Sequence, residues 1–266
     1  MTLPTIAILG AGSMGGAILS GLRRHNASVR ITTRSAASAA GTEGAVSTEL
    51  DPQANLKAVE GARVVLIGVK PLMVADVLRE IAPALAADAI VVSLAVGVTS
   101  AAMEAIVPGS VVRSMPNTPS LVGRGVTGIS AGSRATAHDL DIVQAVFETV
   151  GDVLVVPEAK LDALSTISGS GPAYVFLLIE ELTKTAIELG FSEQEARVMV
   201  QGTFRGASEL LAASDLGPAE LRKKVTSPKG TTERAIAVLQ EADLSALFSR
   251  AAQAALARAK ELAESA

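Results

Sequence analysis

A glycine-rich motif close to the N-terminus has the residue types and spacing of a phosphate-binding turn. It reads Gly10-Ala11-Gly12-Ser13-Met14-Gly15. In a dinucleotide fold the first glycine permits a tight turn, the second admits a pyrophosphate to the backbone, and the third lets helix and strand pack closely. The phosphates lie at a helix N-terminus, where free N–H groups and the helix dipole favour anions. The motif therefore predicts a dinucleotide site.

The surroundings of this motif make the prediction more specific. An apolar run at residues 5–9 predicts a strand directly before the glycines, and residues 14–24 predict a helix directly after them. The spacing GxGxxG is a weak signal alone and a much stronger one between a strand and a helix. The alternative is that the glycines only turn a tight corner.

The second predicted strand ends in hydroxyls and a guanidinium rather than in a carboxylate. The residues at its end are Thr32-Thr33-Arg34-Ser35. An enzyme that uses NAD usually has Asp or Glu here, about 20 residues beyond the glycines, to bind the ribose 2′-hydroxyl. A guanidinium beside hydroxyls suits a 2′-phosphate in charge and geometry. The sequence predicts NADPH as the preferred cofactor, with NADH possible but less preferred; alternatively, Arg34 is a solvated surface residue.

Two further glycine-containing segments in the second half predict helix starts. Residues 168–172 read Ser-Gly-Ser-Gly-Pro and predict a flexible turn before a long apolar helix. Residues 227–232 read Ser-Pro-Lys-Gly-Thr-Thr and predict a turn before a helix that begins near Glu233. Free backbone N–H groups at such starts hold a carboxylate well. The alternative is ordinary helix capping, which prefers the same residue types.

The composition excludes several other kinds of site. The 266 residues contain no cysteine, and the two histidines, His25 and His138, lack metal-ligand spacing. We therefore expect no disulfide, no thiol chemistry and no metal centre. A formal net charge of −4 and an aromatic content of 2% argue against a nucleic-acid partner. The chain has no signal-peptide pattern and no apolar run long enough for a bilayer, so we expect a cytoplasmic protein without a membrane partner.

The first half of the chain alternates short apolar runs with alanine-rich helical stretches. Predicted strands are residues 5–9, 29–32, 64–69, 90–94 and 111–113, and predicted helices include 14–24, 72–82 and 99–106. Almost wholly apolar strands that alternate with helices predict an α/β fold with a doubly wound parallel sheet of the Rossmann type. Two later runs, 126–130 and 153–156, are expected to add strands at the edge of the sheet.

Beyond Pro157 only helical periodicity is found. We predict a dinucleotide-binding domain over residues 1–157 and an all-helical dimerisation and substrate domain over residues 158–266. The predicted helix at residues 172–189 is apolar in nearly every direction and needs neighbours all round. The helical domain alone could supply these neighbours, or a partner subunit could; of the two, we favour an intertwined dimer formed by the helical domain.

Taken together, the motifs resemble those of the pyrroline-5-carboxylate reductases over essentially the whole chain. The resemblance rests on residues 10–15, 69–71, 115–119, 168–174 and 226–232. It implies NADPH-dependent reduction of 1-pyrroline-5-carboxylate, a cyclic imine, to L-proline by hydride transfer to the C=N carbon. That reaction is the last step of proline biosynthesis.

The resemblance also implies which residues hold the cofactor. They are Gly10, Gly12, Ser13, Met14, Gly15, Arg34, Ser35, Asn55, Val69, Lys70, Pro71, Ala95, Gly97 and Asn117. By this analogy Asn55 assists Arg34 and Ser35 at the adenosine ribose and its phosphate. Asn117 and the segment from Ala95 to Gly97 lie at the nicotinamide half.

The substrate residues implied by the resemblance come from the two later glycine-containing segments. They are Ser168, Gly169, Ser170, Gly171, Ser227, Gly230, Thr231 and Thr232. Thr232 is the candidate catalytic residue because it would face the ring nitrogen, and the proton would come through its hydroxyl or from solvent. Lys229 receives no role, because some members have glycine there. The family forms homodimers through the helical domain, and higher assemblies of dimers also occur.

Two other functions are compatible with parts of the sequence. A related NADPH-dependent imine or β-hydroxyacid reductase shares the two-domain plan, and the β-hydroxyacid enzymes use a helical lysine as acid. Lys184 is on such a helix, but its neighbours Glu181 and Glu188 predict a solvated face. A non-catalytic NADPH sensor is the second alternative, and it would leave the two later glycine-containing segments without a small-molecule ligand.

Overall fold

The computed structural model describes residues 3–264, with side chains up to residue 261. The chain forms two compact units. Residues 3–172 and 254–264 make the first unit, and Ala173–Gln253 make the second. The division of function at residue 157 stays a prediction. No helix among the described residues is long and apolar enough to cross a bilayer.

The described part of the first unit contains one eight-stranded sheet. The strands are β1 (Ile6–Leu9), β2 (Val29–Thr33), β3 (Ala45–Ser47), β4 (Val64–Ile67), β5 (Ile90–Ser93), β6 (Ser110–Met115), β7 (Gly125–Ala131) and β8 (Gly151–Val155). Their order is β3-β2-β1-β4-β5-β6-β7-β8. The predicted doubly wound sheet is confirmed, and the two later runs add β7 and β8 at its edge. Between residue 155 and residue 264 no further strand occurs.

One strand direction differs from the predicted parallel sheet. β7 is antiparallel to β6, whereas the other neighbouring pairs are parallel. The connection at residues 116–124 holds only a short 3₁₀ turn, Thr118–Val122, which ends at Gly123. A parallel return needs a crossover of about a dozen residues or more, so this connection can only reverse the chain.

Seven helices accompany the sheet, and five more belong to the remainder of the described chain. The first group is α1 (Ser13–Arg24), α2 (Ala36–Ala40), α3 (Ala54–Val59), α4 (Val74–Ile81), α5 (Ser100–Glu104), α6 (Ala137–Glu148) and α7 (Leu161–Leu164). The second group is α8 (Gly171–Glu188), α9 (Glu193–Ala212), α10 (Pro218–Lys224), α11 (Thr231–Glu241) and α12 (Leu244–Glu264). The predicted helix at 72–82 begins as a 3₁₀ turn, Pro71–Met73, before α4.

Successive side chains of the central strands point to opposite faces of the sheet, and an apolar core lies on each face. In β1, Ile6 and Ile8 enter one apolar cluster, whereas Ala7 and Leu9 enter the other. All four residues of this strand are at most 1% exposed. The central strands β1 and β4 are covered on both sides and are apolar at every position, which explains why they are readily predicted.

The second unit has a much smaller core of its own. Its buried residues are Ala186, Ala196 and Val200, with Ile179 and Phe204 packed against them. Many large apolar side chains of the unit are exposed. They include Phe176, Leu177, Leu178, Leu182, Leu210, Leu211, Val238 and Leu239. Apolar surface of this extent is typical of a protein–protein interface.

A buried carboxylate connects α6 to the sheet. Asp139 accepts hydrogen bonds from Arg63 Nη2 at 2.6 Å, Ser110 Oγ at 2.7 Å and the Thr136 backbone N–H at 3.0 Å. Burial alone would raise the pKa of Asp139, but these hydrogen bonds outweigh it and hold the pKa well below its ordinary value of 3.8. A lowered pKa in the folded state stabilises the fold above the unfolded pKa, and this gain is lost as the pH falls below it.

We expect Asp139→Asn to lower the free energy of unfolding by about 2 kcal/mol at neutral pH, because Arg63 loses its buried partner. Urea denaturation at fixed protein concentration measures the difference between the two chains. The difference should shrink as the pH falls below 3.8, where the carboxyl of the unfolded wild-type chain takes up a proton, and it should vanish once the folded-state carboxyl is also protonated. Asp76→Asn, at an exposed pair with Arg79, is the control and should change little. A difference that stays constant down to acid pH would contradict the assignment.

Candidate functional site

The glycine motif forms a tight connection between β1 and α1. Gly10 has φ +91°, and a Cβ there would lie 2.9 Å from Val69 Cγ1. A Cβ on Gly15 would lie only 2.6 Å from the Gly10 carbonyl oxygen. The Gly10 and Ala11 N–H groups both donate to the Thr32 carbonyl, at 3.0 and 3.2 Å. Close packing and backbone conformation therefore require glycine at the first and third positions of the motif.

Gly12 differs from the other two glycines, because nothing in the protein requires it. It is the N-cap of α1, its backbone is extended at φ −70° and ψ −162°, and it carries no capping side chain. A Cβ there would meet no atom within 4 Å. The first N–H groups of α1 have no intrahelical acceptor. Open space beside free N–H donors fits a pyrophosphate, so the residues of this turn are suited to hold a dinucleotide.

A cleft of about 690 Å³ lies at the carboxyl ends of β1, β2 and β4. Several predicted cofactor residues line it together. They are Gly10, Gly12, Arg34, Asn55, Val69 and Lys70. Other lining residues were missed by the sequence analysis. They include Ser38, Thr48, Met73 and Glu80, whereas Thr32 and Thr33, which also line the cleft, belong to the predicted segment at the end of β2. Of the remaining predicted residues, Ser13, Ser35 and Pro71 are each adjacent in sequence to a lining residue, and Met14 and Gly15 lie further along α1; none of the five lines the cleft.

Arg34 supplies a positive charge at the rim of this cleft. The residue is exposed, and its guanidinium has no protein partner among residues 3–264. Ser35, by contrast, caps α2: its Oγ accepts from the Ser38 N–H at 3.2 Å and lies 2.9 Å from Ser38 Oγ. Of this pair, it is Ser38 that lines the cleft.

Asn55 is held by hydrogen bonds at both ends of its amide. It is 7% exposed. Its Oδ1 accepts from Thr32 Oγ1 at 2.7 Å, and its Nδ2 donates to Glu80 Oε2 at 3.1 Å. Asn55 therefore links the end of β2 to α4 across the floor of the cleft.

The residues predicted at the nicotinamide half lie outside this cleft. Gly97 has φ +80°, and Ala95 is buried with its N–H donating to Ser93 Oγ. Asn117 is 6% exposed. Its Nδ2 donates to the Ser168 carbonyl at 2.9 Å, and its Oδ1 accepts from the Val126 N–H at 2.8 Å. The Asn117 amide thus connects three segments of the first unit.

The segment at Ser168 is not the flexible turn that the sequence predicted. Ser165–Gly169 forms a π-helical turn between α7 and α8, and the Ser170 N–H donates to the Ser165 carbonyl at 2.9 Å. The helical path continues through the glycines, so this N–H is already paired. Single π turns inside helical segments are frequent at functional sites. Sequence periodicity does not show them, because they add only one residue to a turn.

The segment at residues 227–230 is a turn, as predicted, but α11 starts at Thr231 and not near Glu233. The Ser227 carbonyl accepts from the Gly230 N–H at 3.0 Å, and the Lys229 N–H donates to Glu233 Oε2 at 2.8 Å. Lys229 has φ +62°, a conformation that costs a side-chain-bearing residue about 1–2 kcal/mol.

Gly230 is the N-cap of α11 and carries no capping side chain. The first N–H groups of the helix, from Thr231 onward, therefore lack intrahelical acceptors. Thr231 and Thr232 are exposed. The predicted substrate residues of this segment are thus together at a helix start that favours an anion.

Lys184 does not have the features of a catalytic acid. Its Nζ lies 2.8 Å from Glu180 Oε1 and 2.7 Å from Glu181 Oε1 on the exposed face of α8. These two hydrogen-bonded carboxylates raise the pKa of Lys184 above its ordinary value. A raised pKa makes the ammonium a weaker acid, which argues against the β-hydroxyacid alternative.

Known protein families match both the part of the chain that contains the cleft and the helical part. A family model described as pyrroline-5-carboxylate reductase dimerisation matches residues 158–262, and one described as NADP oxidoreductase coenzyme F420-dependent matches residues 5–97. A pyrroline-5-carboxylate reductase of Pseudomonas aeruginosa is 38% identical over 99% of this chain and 98% of its own. The chain belongs to the pyrroline-5-carboxylate reductase family. A relative from Corynebacterium melassecola is 39% identical over 98% of this chain and 99% of its own.

Solved structures of the pyrroline-5-carboxylate reductases share the fold. The protein from Coxiella burnetii superimposes with a TM-score of 0.89 at 34% identity, covering 97% of this chain and 98% of its own. The Plasmodium falciparum pyrroline carboxylate reductase, solved with NADP bound, gives a TM-score of 0.84 at 25% identity over 99% of both chains.

Proposed function

We propose that this chain catalyses the NADPH-dependent reduction of 1-pyrroline-5-carboxylate to L-proline, the last step of proline biosynthesis. The main structural support for the proposal is the cleft with open space at Gly12. At its rim lies Arg34, whose guanidinium has no protein partner among the described residues. Relatives named pyrroline-5-carboxylate reductase, 38% and 39% identical over nearly the whole chain, support the substrate assignment.

The first unit binds and orients the cofactor. The N–H groups at the start of α1 face the pyrophosphate, and Arg34 holds the 2′-phosphate of the adenosine ribose. Val69, Lys70 and Pro71, which follow β4, are further cofactor residues in this proposal, with the segment from Ala95 to Gly97 and Asn117 at the nicotinamide half. Bound NADPH supplies the hydride for the C=N carbon of the substrate.

The start of α11 provides the substrate site in this proposal. Free N–H groups of Thr231 and Thr232, together with Ser227 and Gly230, hold the substrate carboxylate at the positive end of the helix. Ser168, Gly169, Ser170 and Gly171 of the π-helical turn are further substrate-binding residues in this proposal. The Thr232 hydroxyl donates a hydrogen bond to the ring nitrogen and passes it a proton from solvent, which makes the C=N carbon more electrophilic.

We expect Thr232→Ala to lower kcat about tenfold, because one hydrogen bond to the reacting nitrogen is lost. The affinity for NADPH should stay nearly unchanged, since Thr232 is not part of the cofactor cleft. Steady-state kinetics measure kcat, and calorimetry measures NADPH binding. Thr232→Ser keeps the hydroxyl and should restore most of the rate. A large loss of NADPH binding in Thr232→Ala would contradict this role.

The active form is a homodimer, and higher assemblies of dimers are compatible with it. The apolar side chains exposed on α8 and α9, which include Phe176, Leu178 and Leu210, are covered by the second copy in this proposal. Residues 158–266 then act as the dimerisation and substrate domain, and residues 1–157 as the cofactor domain. We place the enzyme in the cytoplasm, in keeping with its proposed biosynthetic role.

The proposed function is tested by following the absorbance of reduced nicotinamide with purified full-length protein. We expect rapid oxidation that requires 1-pyrroline-5-carboxylate and is faster with NADPH than with NADH. Equal or faster oxidation of NADH would still support the proposed reductase activity but would contradict the role of Arg34 in binding the 2′-phosphate. Two results would overturn the proposal. One is oxidation of NADPH only when the keto form of a β-hydroxyacid is the substrate, and the other is no oxidation at all by a protein that binds NADPH.

A further inference from the structure

An acidic side chain lies in the cofactor cleft although β2 ends without one. Glu80, on the last turns of α4, lines the cleft together with Arg34 and Asn55. Its Oε2 accepts a hydrogen bond from Asn55 Nδ2 at 3.1 Å. Within the described chain Glu80 forms no ion pair. Its negative charge is thus left to act on whatever the cleft binds.

A short chain of hydrogen bonds fixes where this carboxylate lies. Thr32 Oγ1, at the end of β2, donates to Asn55 Oδ1 at 2.7 Å, so the Asn55 amide can present only its Nδ2 to Glu80. Thr32 is 2% exposed and Asn55 is 7% exposed, so neither is free to turn. In a dinucleotide fold the end of the second strand is where the adenosine ribose lies. The carboxylate is therefore held beside the ribose, from a helix rather than from the strand.

Glu80 and Arg34 have opposite effects on the group at the ribose 2′ position. A carboxylate accepts hydrogen bonds from a 2′-hydroxyl and repels a 2′-phosphate, whereas a guanidinium attracts the phosphate. We propose, on the basis of the function proposed above, that Glu80 is a specificity-determining residue. It favours a ribose with a free 2′-hydroxyl and limits the preference for NADPH that Arg34 provides.

Glu80→Gln separates this role from a purely structural one. The glutamine carbonyl still accepts the hydrogen bond of Asn55, so the link between β2 and α4 is kept while the charge is removed. A role limited to holding Asn55 predicts no change in the choice of cofactor.

The test uses two probes that differ only at the 2′ position of the adenosine ribose: ADP-ribose and its 2′-phosphorylated form. Calorimetry on the full-length chain measures their affinities, and neither probe carries a nicotinamide, so turnover is not involved. In Glu80→Gln we expect the affinity for the 2′-phosphorylated probe, relative to ADP-ribose, to rise about five- to tenfold. The ratio of kcat/KM for NADPH to that for NADH should rise in parallel.

Asp76→Asn is the matched control, since it removes a carboxylate from the same helix outside the cleft. It should leave the ratio of affinities unchanged. An unchanged ratio in Glu80→Gln, or a shift towards ADP-ribose, would overturn the inference and leave the proposed function in place. Failure of the wild-type chain to bind either probe would overturn both.

Discussion

Gly12→Ala lowers the affinity for NADPH about 10- to 100-fold, by the usual cost of one methyl group in a filled site. The protein itself tolerates the methyl group, because the backbone of Gly12 is at φ −70° and ψ −162° and no atom lies within 4 Å of the added Cβ. The clash arises only with a ligand that approaches the backbone at the start of α1. Calorimetric titration with NADPH measures the loss.

Gly16→Ala is the control for this experiment. Gly16 lies one turn further along α1, and a Cβ there also meets nothing within 4 Å. Its replacement should leave NADPH affinity unchanged, and both variants should melt close to the wild-type temperature. Unchanged NADPH binding by a folded Gly12→Ala chain would show that the pyrophosphate does not lie at this turn.

Arg34→Met lowers the affinity for NADPH about 10- to 100-fold and leaves that for NADH nearly unchanged. The reason is that a charge-assisted hydrogen bond contributes about 1.5–3 kcal/mol, and only NADPH has the 2′-phosphate that receives it. Methionine keeps most of the length of the side chain. Because Arg34 has no protein partner among the described residues, the fold should lose little stability.

Arg79→Met removes a positive charge from α4 outside the cleft, where Arg79 pairs with Asp76. It should change neither affinity, which separates a local effect of Arg34 from a general effect of net charge. Equal losses for NADPH and NADH in Arg34→Met would contradict contact with the 2′-phosphate.

The fold of the first unit could be predicted because short stretches of its sequence determine its strands and turns. The strand around Ile8 is apolar throughout since it is covered on both faces, and the glycines from Gly10 to Gly15 follow it directly. The direction of β7 was not predictable from apolar runs, because it depends on the short connection after Met115. β3 was missed because three residues carry too little pattern.

Residues of the candidate site could be predicted only where their position within a single sequence segment indicates their role. Arg34 was found because it stands at the end of β2, where a ribose partner is expected. Glu80 was missed because it reaches the same place from a helix, through a hydrogen bond to Asn55, 25 residues earlier in the chain. The π-helical turn at Ser168 was read as a flexible turn, because glycine and serine are common to both.

Isotopic labelling follows the transferred hydride from the cofactor to the product. Full-length protein is incubated with 1-pyrroline-5-carboxylate and NADPH that carries two deuterium atoms on the donating nicotinamide carbon, so that either face delivers the label, and the product is examined by mass spectrometry and NMR. We predict L-proline with one deuterium, on the carbon that was part of the C=N bond. Proline without deuterium, or no proline from a protein that binds NADPH, would contradict the assignment of this chain as the reductase.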